Sequence, residues 1–341
     1  MFHQLAQSFF WQPGAVVPSL ADLPLSGRVL AKNDVSLSVR GEDSTQHPLL
    51  VVELAGGKII GDLRLAATAD DVVIGGMQAI FGSDDPAGHY ALRRRRFRIP
   101  KRRRGTALLL GASASDNYYH WMLDSLPRWK MLQQANHQQF DYVLLQGRPS
   151  RFQDETLDWL GVPAAKRLRC SKNFVHQFER LVVATMPAPQ WVIERWTCQW
   201  LRSLFPGQVA GSKRIYLSRH SSRRRLVNEL ELEAQLGRLG FTSVKAECLP
   251  VAQQAKLFSE AEFVVAPHGA GLTNMVFAPP GTRLLELFHP QHRNTCYSNL
   301  AATCGHHYQS LEGCPTNRAG NRHLEFSIDA AEVARTIREK M

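Results

Sequence analysis

The chain has 341 residues, a length that suggests one large or two ordinary domains. Lys plus Arg outnumber Asp plus Glu by 41 to 30, a formal charge of +11, but eight Arg and one Lys lie between Arg93 and Arg104 with no acid among them, so 11 − 9 leaves +2 for everything else. That concentration counts against a uniformly basic coat for nucleic acid. With 44% hydrophobic and 21% charged residues the chain reads as globular, and no apolar run approaches the ~18 residues of a membrane span.

Residues 1–20 carry no basic n-region and are broken by Gln12, Pro13 and Gly14, so no signal peptide is expected. Six cysteines scattered over this length make no disulfide framework, and a reducing, cytoplasmic setting is expected. Residues 1–105 read as a β-rich lead segment packed on the first domain, with alternating runs at 35–39, 49–54 and 72–74 separated by Gly, Asp and Pro. From Thr106 strand and helix alternate: strand 106–110, helix 117–134, strand 142–145, helix 152–160, strand 180–184, helix 191–205. Pro206-Gly207 stops that helix and marks a domain boundary.

The alternation then restarts with strand 214–217, helix 229–239, strand 242–246, helix 251–261, strand 263–266, helix 272–277 and strand 283–287. A closing helix over 328–340 opens with the capping-box pattern Asp329-x-x-Glu332. Two successive series predict an α/β chain with two doubly wound sheets, over 106–206 and 207–341, whose ligands would sit beyond the carboxyl ends of strands.

Three segments near such ends carry chemistry. The first, Ala266-Pro267-His268-Gly269-Ala270-Gly271-Leu272-Thr273-Asn274, passes from a strand into a helix. Its glycines would let backbone N–H groups approach an anion at a helix N-terminus, and His268 could donate to a phosphate or a ribose; an ordinary tight strand–helix turn has the same composition. The next strand carries Glu286, either an acceptor for ribose hydroxyls or a salt-bridged side chain. In the second segment Arg219 follows Ile215-Tyr216-Leu217-Ser218, where its fork of donors could meet a diphosphate, and Arg224 is a second candidate. A solvated loop better suits Arg223 and Arg225, while Asn228 is placed to N-cap a helix beginning at Glu229.

In the third segment the steps Asn117, His120, Asp124 and Arg128 are +3, +4 and +4, one stripe on a helix, with Trp121, Met122, Leu126 and Trp129 supplying apolar packing. His120 and Asp124, one turn apart, could form an acid/base pair or a simple surface ion pair. Cys296, Cys304, Cys314, His306 and His307 lack the short Cys-x-x-Cys spacing of structural zinc, and no metal site is expected.

Taken together, Asn-x-x-His-x-x-x-Asp, then Tyr-x-Ser-Arg with a later Asn-Glu, then His-Gly-Ala-Gly-Leu-Thr-Asn with a following Pro-Gly-Thr and strand Glu, resemble glycosyltransferase family 61 over about residues 106–310. The resemblance implies a GT-B architecture of two Rossmann-like domains and inverting transfer from a nucleotide-diphosphate sugar, a UDP-sugar above all, without a cofactor or an obligatory metal. It implies that Arg219 with Arg224 neutralises the diphosphate, that His268 with the turn 269–271 holds phosphate or ribose, and that Glu286 faces the nucleoside. His120 or Asp124 would be the general base toward a glycan or lipid-linked acceptor in capsular or other surface polysaccharide synthesis. The basic run would hold a cytoplasmic enzyme peripherally against anionic lipid.

Two rival readings rest on the same residues. One is an anionic-polymer or nucleic-acid binder using 93–104, where only Phe97 interleaves the arginines and no nucleic-acid partner is expected. The other is a different GT-B-like sugar-nucleotide enzyme such as an epimerase.

Overall fold

The computed structural model describes residues 10–11, 16–17, 29–40, 48–61, 65–74, 97–112, 114–172, 174–189, 191–205, 211–220, 225–316 and 325–339. Arg93 to Arg96 of the basic run and Arg224 lie outside them. The chain divides into two compact units, Met1–Gln190 and Trp191–Met341.

The first unit is built on one mixed sheet. Its labelled strands are β1 (Val29–Asp34), β2 (Leu50–Ala55), β3 (Lys58–Ile60), β4 (Leu65–Ala67), β5 (Val73–Ile74), β6 (Lys101–Leu109), β7 (Tyr142–Gln146), β8 (Arg167–Cys170) and β9 (Val175–Ala184). Strands β8-β7-β6-β9 are parallel, so in chain order the four run 3-2-1-4, the first half of a Rossmann sheet. β9 is long enough to take β3 on its first half and β2 on its second, both antiparallel. The lead segment, expected as a β-rich piece packed on the first domain, is part of that domain's sheet: its strands β2 to β5 continue it through β9. The run 35–39, expected as a strand, is a short helix α1 (Ser36–Arg40), because Val35 and Val39 stand four residues apart and both bury on one side. β8 was not foreseen: its Arg167 and Arg169 pair with Asp154 on the neighbouring helix α3 (Arg151–Trp159), which makes a half-buried strand read as loop.

The basic run does not merely precede the first Rossmann-like strand. Lys101, Arg102, Arg103 and Arg104 are its opening half. Between Arg103 and Thr106 the register against β9 shifts, Arg103 facing Phe178 and Thr106 facing Arg180, so β6 carries one extra residue. Gly105 absorbs it with a φ of +91°, the left-handed region that favours glycine, and donates its N–H to Glu179 Oε2 (3.1 Å). Before this bulge the side chains are largely exposed; after it Ala107, Leu108 and Leu109 are fully buried.

Beside the run sits His176, only 6% exposed, stacked between Phe174 and Phe178, with Arg103 Nε donating to its Nδ1 (3.3 Å). Burial first, then the charges of Arg103 and Lys101, hold its pKa down at about 4. An unfolded chain protonates this imidazole near pH 6.5. Between these values the unfolded state binds a proton that the folded state refuses, so stability falls as pH drops from about 6.5 toward 4. Urea midpoints at pH 7 and pH 5 should therefore differ less in His176→Phe than in the parent.

The second unit holds a five-stranded, wholly parallel sheet of β10 (Lys213–Leu217), β11 (Phe241–Val244), β12 (Ala261–Pro267), β13 (Arg283–Phe288) and β14 (His307–Glu312). The spatial order β11-β10-β12-β13-β14 is 2-1-3-4-5 in chain order, the flavodoxin-like doubly wound arrangement. Strands buried on both faces read as continuous apolar runs; Phe263 to Ala266 and Leu284 to Phe288 do so, with Glu286 the one charge. The helices are α4 (Arg195–Leu204), α5 (Glu229–Gly237), α6 (Val251–Ser259), α7 (Cys296–Cys304) and α8 (Ala330–Arg338).

Helix α4, expected to end the first domain, lies in this unit, where Arg202 donates from Nε to Val276 O (2.6 Å) and from Nη2 to Ala278 O (3.2 Å). The closing helix is N-capped by Asp329, whose Oδ1 accepts from the N–H groups of Ala331 (2.8 Å) and Glu332 (3.2 Å), one half of the expected capping box. No described helix is long and apolar enough to cross a membrane.

Candidate active site

In a doubly wound sheet the crevice for ligand opens where chain order reverses, beyond the carboxyl ends of the strands. In the second unit that point lies between β10 and β12. The residues just past these two strands are Ser218-Arg219 and His268-Gly269, and they meet: Arg219 Nη1 donates to the His268 carbonyl. Gly269 is in extended backbone (φ 174°), so its lack of a side chain matters for space rather than for conformation. A Cβ there would overlap the Arg219 guanidinium. Because the end of a long side chain can yield, Gly269→Ala should cost little stability while expelling Arg219 from the turn. Both Gly269→Ala and Arg219→Ala are expected to weaken binding of a diphosphate ligand by about 10- to 100-fold. The double variant should be no weaker than Arg219→Ala, a non-additivity read by titration calorimetry.

Arg219 is aimed from behind by Glu229. This carboxylate is 1% exposed, and its Oε1 accepts from the Arg219 backbone N–H (2.7 Å) and the Tyr216 hydroxyl (3.0 Å). Burial, then the Glu229 charge, pushes the Tyr216 phenol well above its usual range, which keeps it a donor. Asn228 occupies the N-cap position without capping. Its side chain instead bonds both backbone groups of Ile328, accepting from N (3.1 Å) and donating to O (2.8 Å), and so ties α5 to the chain ahead of α8. Asn228 and Glu229 are supports of the loop in this geometry.

The turn after β12 opens a 3-10 helix, Ala270–Phe277, rather than an α-helix. His268, Ala270 and Gly271 are half-buried, whereas Leu272, Thr273 and Asn274 are buried. Asn274 donates to Gln254 Oε1 (2.7 Å) and Gly271 O (3.0 Å), bracing the turn from inside. The accessible residues of this segment are therefore His268, Ala270 and Gly271, around the start of a helix.

Glu286, read from sequence as a strand-end carboxylate facing a nucleoside, lies two residues inside β13 and is 0% exposed. Its Oε1 is 2.5 Å from His268 Nδ1, and its Oε2 accepts from the Tyr308 hydroxyl (2.8 Å). The reason is topological: β13 sits between β12 and β14, so a side chain on this face reaches the residues of both neighbours and no solvent. Burial, then Glu286, raises the Tyr308 phenol and keeps its proton on. The His268 ring stacks on Phe288 (5.2 Å, 20°), and its Nε2 meets Asn294 Nδ2 (3.1 Å). Tyr308 and Asn294 were missed because they come from β14 and the loop before α7, elements without a periodic signal.

In the first unit the expected helix over 117–134 is broken. Residues His120–Ser125 form a π-helical stretch, Leu126 N–H reaching back five residues to Trp121 O (2.8 Å), and an α-helix α2 (Arg128–Gln134) begins after Pro127. The stripe of four polar residues is lost with it. Asn117 precedes the helical residues and its Oδ1 accepts from Tyr119 N (2.9 Å). Arg128 is 0% exposed and turns inward, donating to Gly111 O (3.4 Å) and Met186 Sδ (2.8 Å), residues just beyond β6 and β9 at this sheet's own reversal of strand order. Burial lowers its pKa to about 10, partly offset by Asp124, so the guanidinium stays charged at neutral pH.

What remains on an accessible face is the pair His120 and Asp124, with Nδ1 and Oδ2 2.7 Å apart and side chains 15% and 24% exposed. Buried Trp121, Met122 and Leu126 hold the stretch from below, the indole donating to Thr156 Oγ1 (2.9 Å). Such insertions in a helix recur at functional sites. Among the described residues no three His, Cys, Asp or Glu side chains form a metal-holding group.

A wholly parallel α/β sheet joins a cation, a glycine turn and a histidine held by a buried carboxylate at its switch point, the position beyond the strand carboxyl ends where doubly wound folds take their ligands. Residues 118–285 match the family model described as Glycosyltransferase 61, so this stretch is similar to that family. Over 100 residues, 28% of this chain, the sequence is 34% identical to the EGF domain-specific O-linked N-acetylglucosamine transferase of Drosophila melanogaster, and the match spans 19% of that protein's length.

Proposed function

We propose that the chain is an inverting glycosyltransferase that moves a hexosyl or pentosyl group from a UDP-sugar to a hydroxyl of a glycan or lipid-linked acceptor, in capsular or other surface polysaccharide synthesis. The observation that carries the reading is the meeting of Arg219 with the His268–Gly271 turn at the switch point of the second unit, inside the family-matching stretch. In a GT-B division of labour this unit takes the donor, and the first unit, through His120 and Asp124, activates the acceptor.

In the proposed step the acceptor oxygen attacks the anomeric carbon from the face opposite the diphosphate. The bond from that carbon to the phosphate oxygen breaks, its electron pair leaves on the nucleoside diphosphate, and configuration inverts. The hydroxyl proton passes to His120 Nε2 while Asp124 holds Nδ1 and shares the imidazolium charge. Arg219 supplies positive charge to the leaving diphosphate, so this step needs no metal ion. Arg224 joins it by sequence position alone.

Lys101, Arg102 and Arg104, exposed at the start of β6, favour peripheral contact of a cytoplasmic enzyme with anionic lipid. The relative's name makes UDP-N-acetylglucosamine the first donor to try. A thermal-shift screen of nucleotide sugars, followed by an assay for UDP release, tests the reading. A bound donor raises the apparent stability, and UDP should appear only when acceptor is present. A flat screen, or UDP release independent of acceptor, would overturn it.

A further inference from the structure

The hydrogen bonds around His268 assign the ligand-facing donor to a different residue. Asn294 lies between β13 and α7, half-buried, and its Oδ1 accepts the Cys296 N–H (3.1 Å). That bond fixes the amide orientation, so Nδ2 is the atom facing His268 Nε2 at 3.1 Å. An amide nitrogen offers only hydrogens. His268 Nε2 is therefore the acceptor, and the ring proton sits on Nδ1, where Glu286 takes it at 2.5 Å. Tyr308 holds the other oxygen of Glu286, and Phe288 fixes the ring plane. Both ring nitrogens are thus committed inside the protein, and the His268 side chain has no hydrogen left for a phosphate.

Asn294 has one. Its Nδ2 carries two hydrogens, and among the described residues only His268 takes one of them. We infer that Asn294 is a substrate-binding residue that donates its second Nδ2–H to an oxygen of the donor's diphosphate, and that Glu286 and His268 are positioning residues that hold the amide for it. A phosphate oxygen only accepts, which matches a group that only donates. Arg219, bonded to the His268 carbonyl, brings positive charge to the same turn. This assignment rests on the sugar-transfer reading for its ligand; the ring state and the amide orientation stand on the geometry alone.

The experiment uses the full chain with Asn294→Ala and Asn294→Asp, titrated calorimetrically with UDP and with uridine. In parallel, 15N NMR of histidine-labelled protein reads the His268 ring, its signals assigned by their loss in His268→Gln. In the parent the proton should be found on Nδ1. Asn294→Ala should bind UDP about tenfold more weakly, the size of one hydrogen bond to a charged oxygen, with uridine affinity unchanged. Asn294→Asp should lose more, because a carboxylate cannot donate and repels the phosphate; in Asn294→Ala the ring proton should stay on Nδ1, where Glu286 holds it.

UDP affinity within twofold of the parent in both variants, equal losses for UDP and uridine, or a parent ring protonated on Nε2 would each overturn the inference. A parent protein that binds no nucleotide sinks the sugar-transfer reading itself. One that binds UDP but ignores Asn294 sinks only this inference.

Discussion

Asp124→Asn and His120→Ala should each lower kcat by about 10²–10⁴-fold while changing donor affinity by less than about twofold. The two side chains touch at 2.7 Å, and the π-helical stretch that carries them is anchored by side chains that neither substitution disturbs. In Asp124→Asn the amide can still contact Nδ1, but it brings no charge to stabilise the imidazolium and can present a hydrogen where the ring must donate. His120→Ala removes the group to which the proposed step passes the proton. Because the pair acts as a unit, the double variant should be about as slow as His120→Ala alone. Steady-state transfer assays, paired with donor titration of the same preparations, check all three. Full turnover in either single variant would remove that residue from the reaction.

Glu286→Ala is the substitution with the largest expected effect on the fold around the site, a loss of about 3 kcal/mol in unfolding free energy. The carboxylate is wholly buried in a parallel strand, where, among the described residues, the hydrogens of His268 and Tyr308 offset its desolvation. Truncation strands both donors in an apolar setting. Glu286→Gln keeps an acceptor for one of them and should recover roughly half of the loss. Denaturant unfolding followed by tryptophan fluorescence measures both variants, and equal stability of Glu286→Ala and the parent would show that the pairing carries no net stabilisation.

The sheets were largely legible because parallel strands buried on two faces produce continuous apolar runs, and Leu217 and Pro267 end theirs just before Arg219 and His268. Position after a strand end was thus readable. Orientation was not. A spacing of three and four residues placed Arg128 on the stripe of His120 and Asp124, yet five-residue bonding in the intervening stretch and Pro127 turn it into the core. Thr273, Asn274, Glu229 and Glu286 share this lesson: polar residues in a motif can face inward and hold it, and composition does not separate the two cases. α7, with the sequence CYSNLAATC, has too many small and polar residues to show an amphipathic face, and β14 is a half-buried edge strand, so Asn294 and Tyr308 had no frame to be read in.

The bulge at Gly105 and the long strand β9 also bear on how this sequence can be divided. The stretch that matches the family begins at residue 118, after β6 has already been laid down, and stops at residue 285, midway through β13. It omits the strand on which β7 and β9 pair in one unit and cuts the strand that carries Glu286 in the other. Similarity and foldability therefore have different borders in this chain: a fragment trimmed to 118–285 would keep most of the chemistry-bearing residues of both units and lose the register that holds them. Gene fusions or exchanges guided by the matched stretch alone should yield insoluble protein, whereas a cut near 190–191, between the two sheets, respects the hydrogen bonding of each.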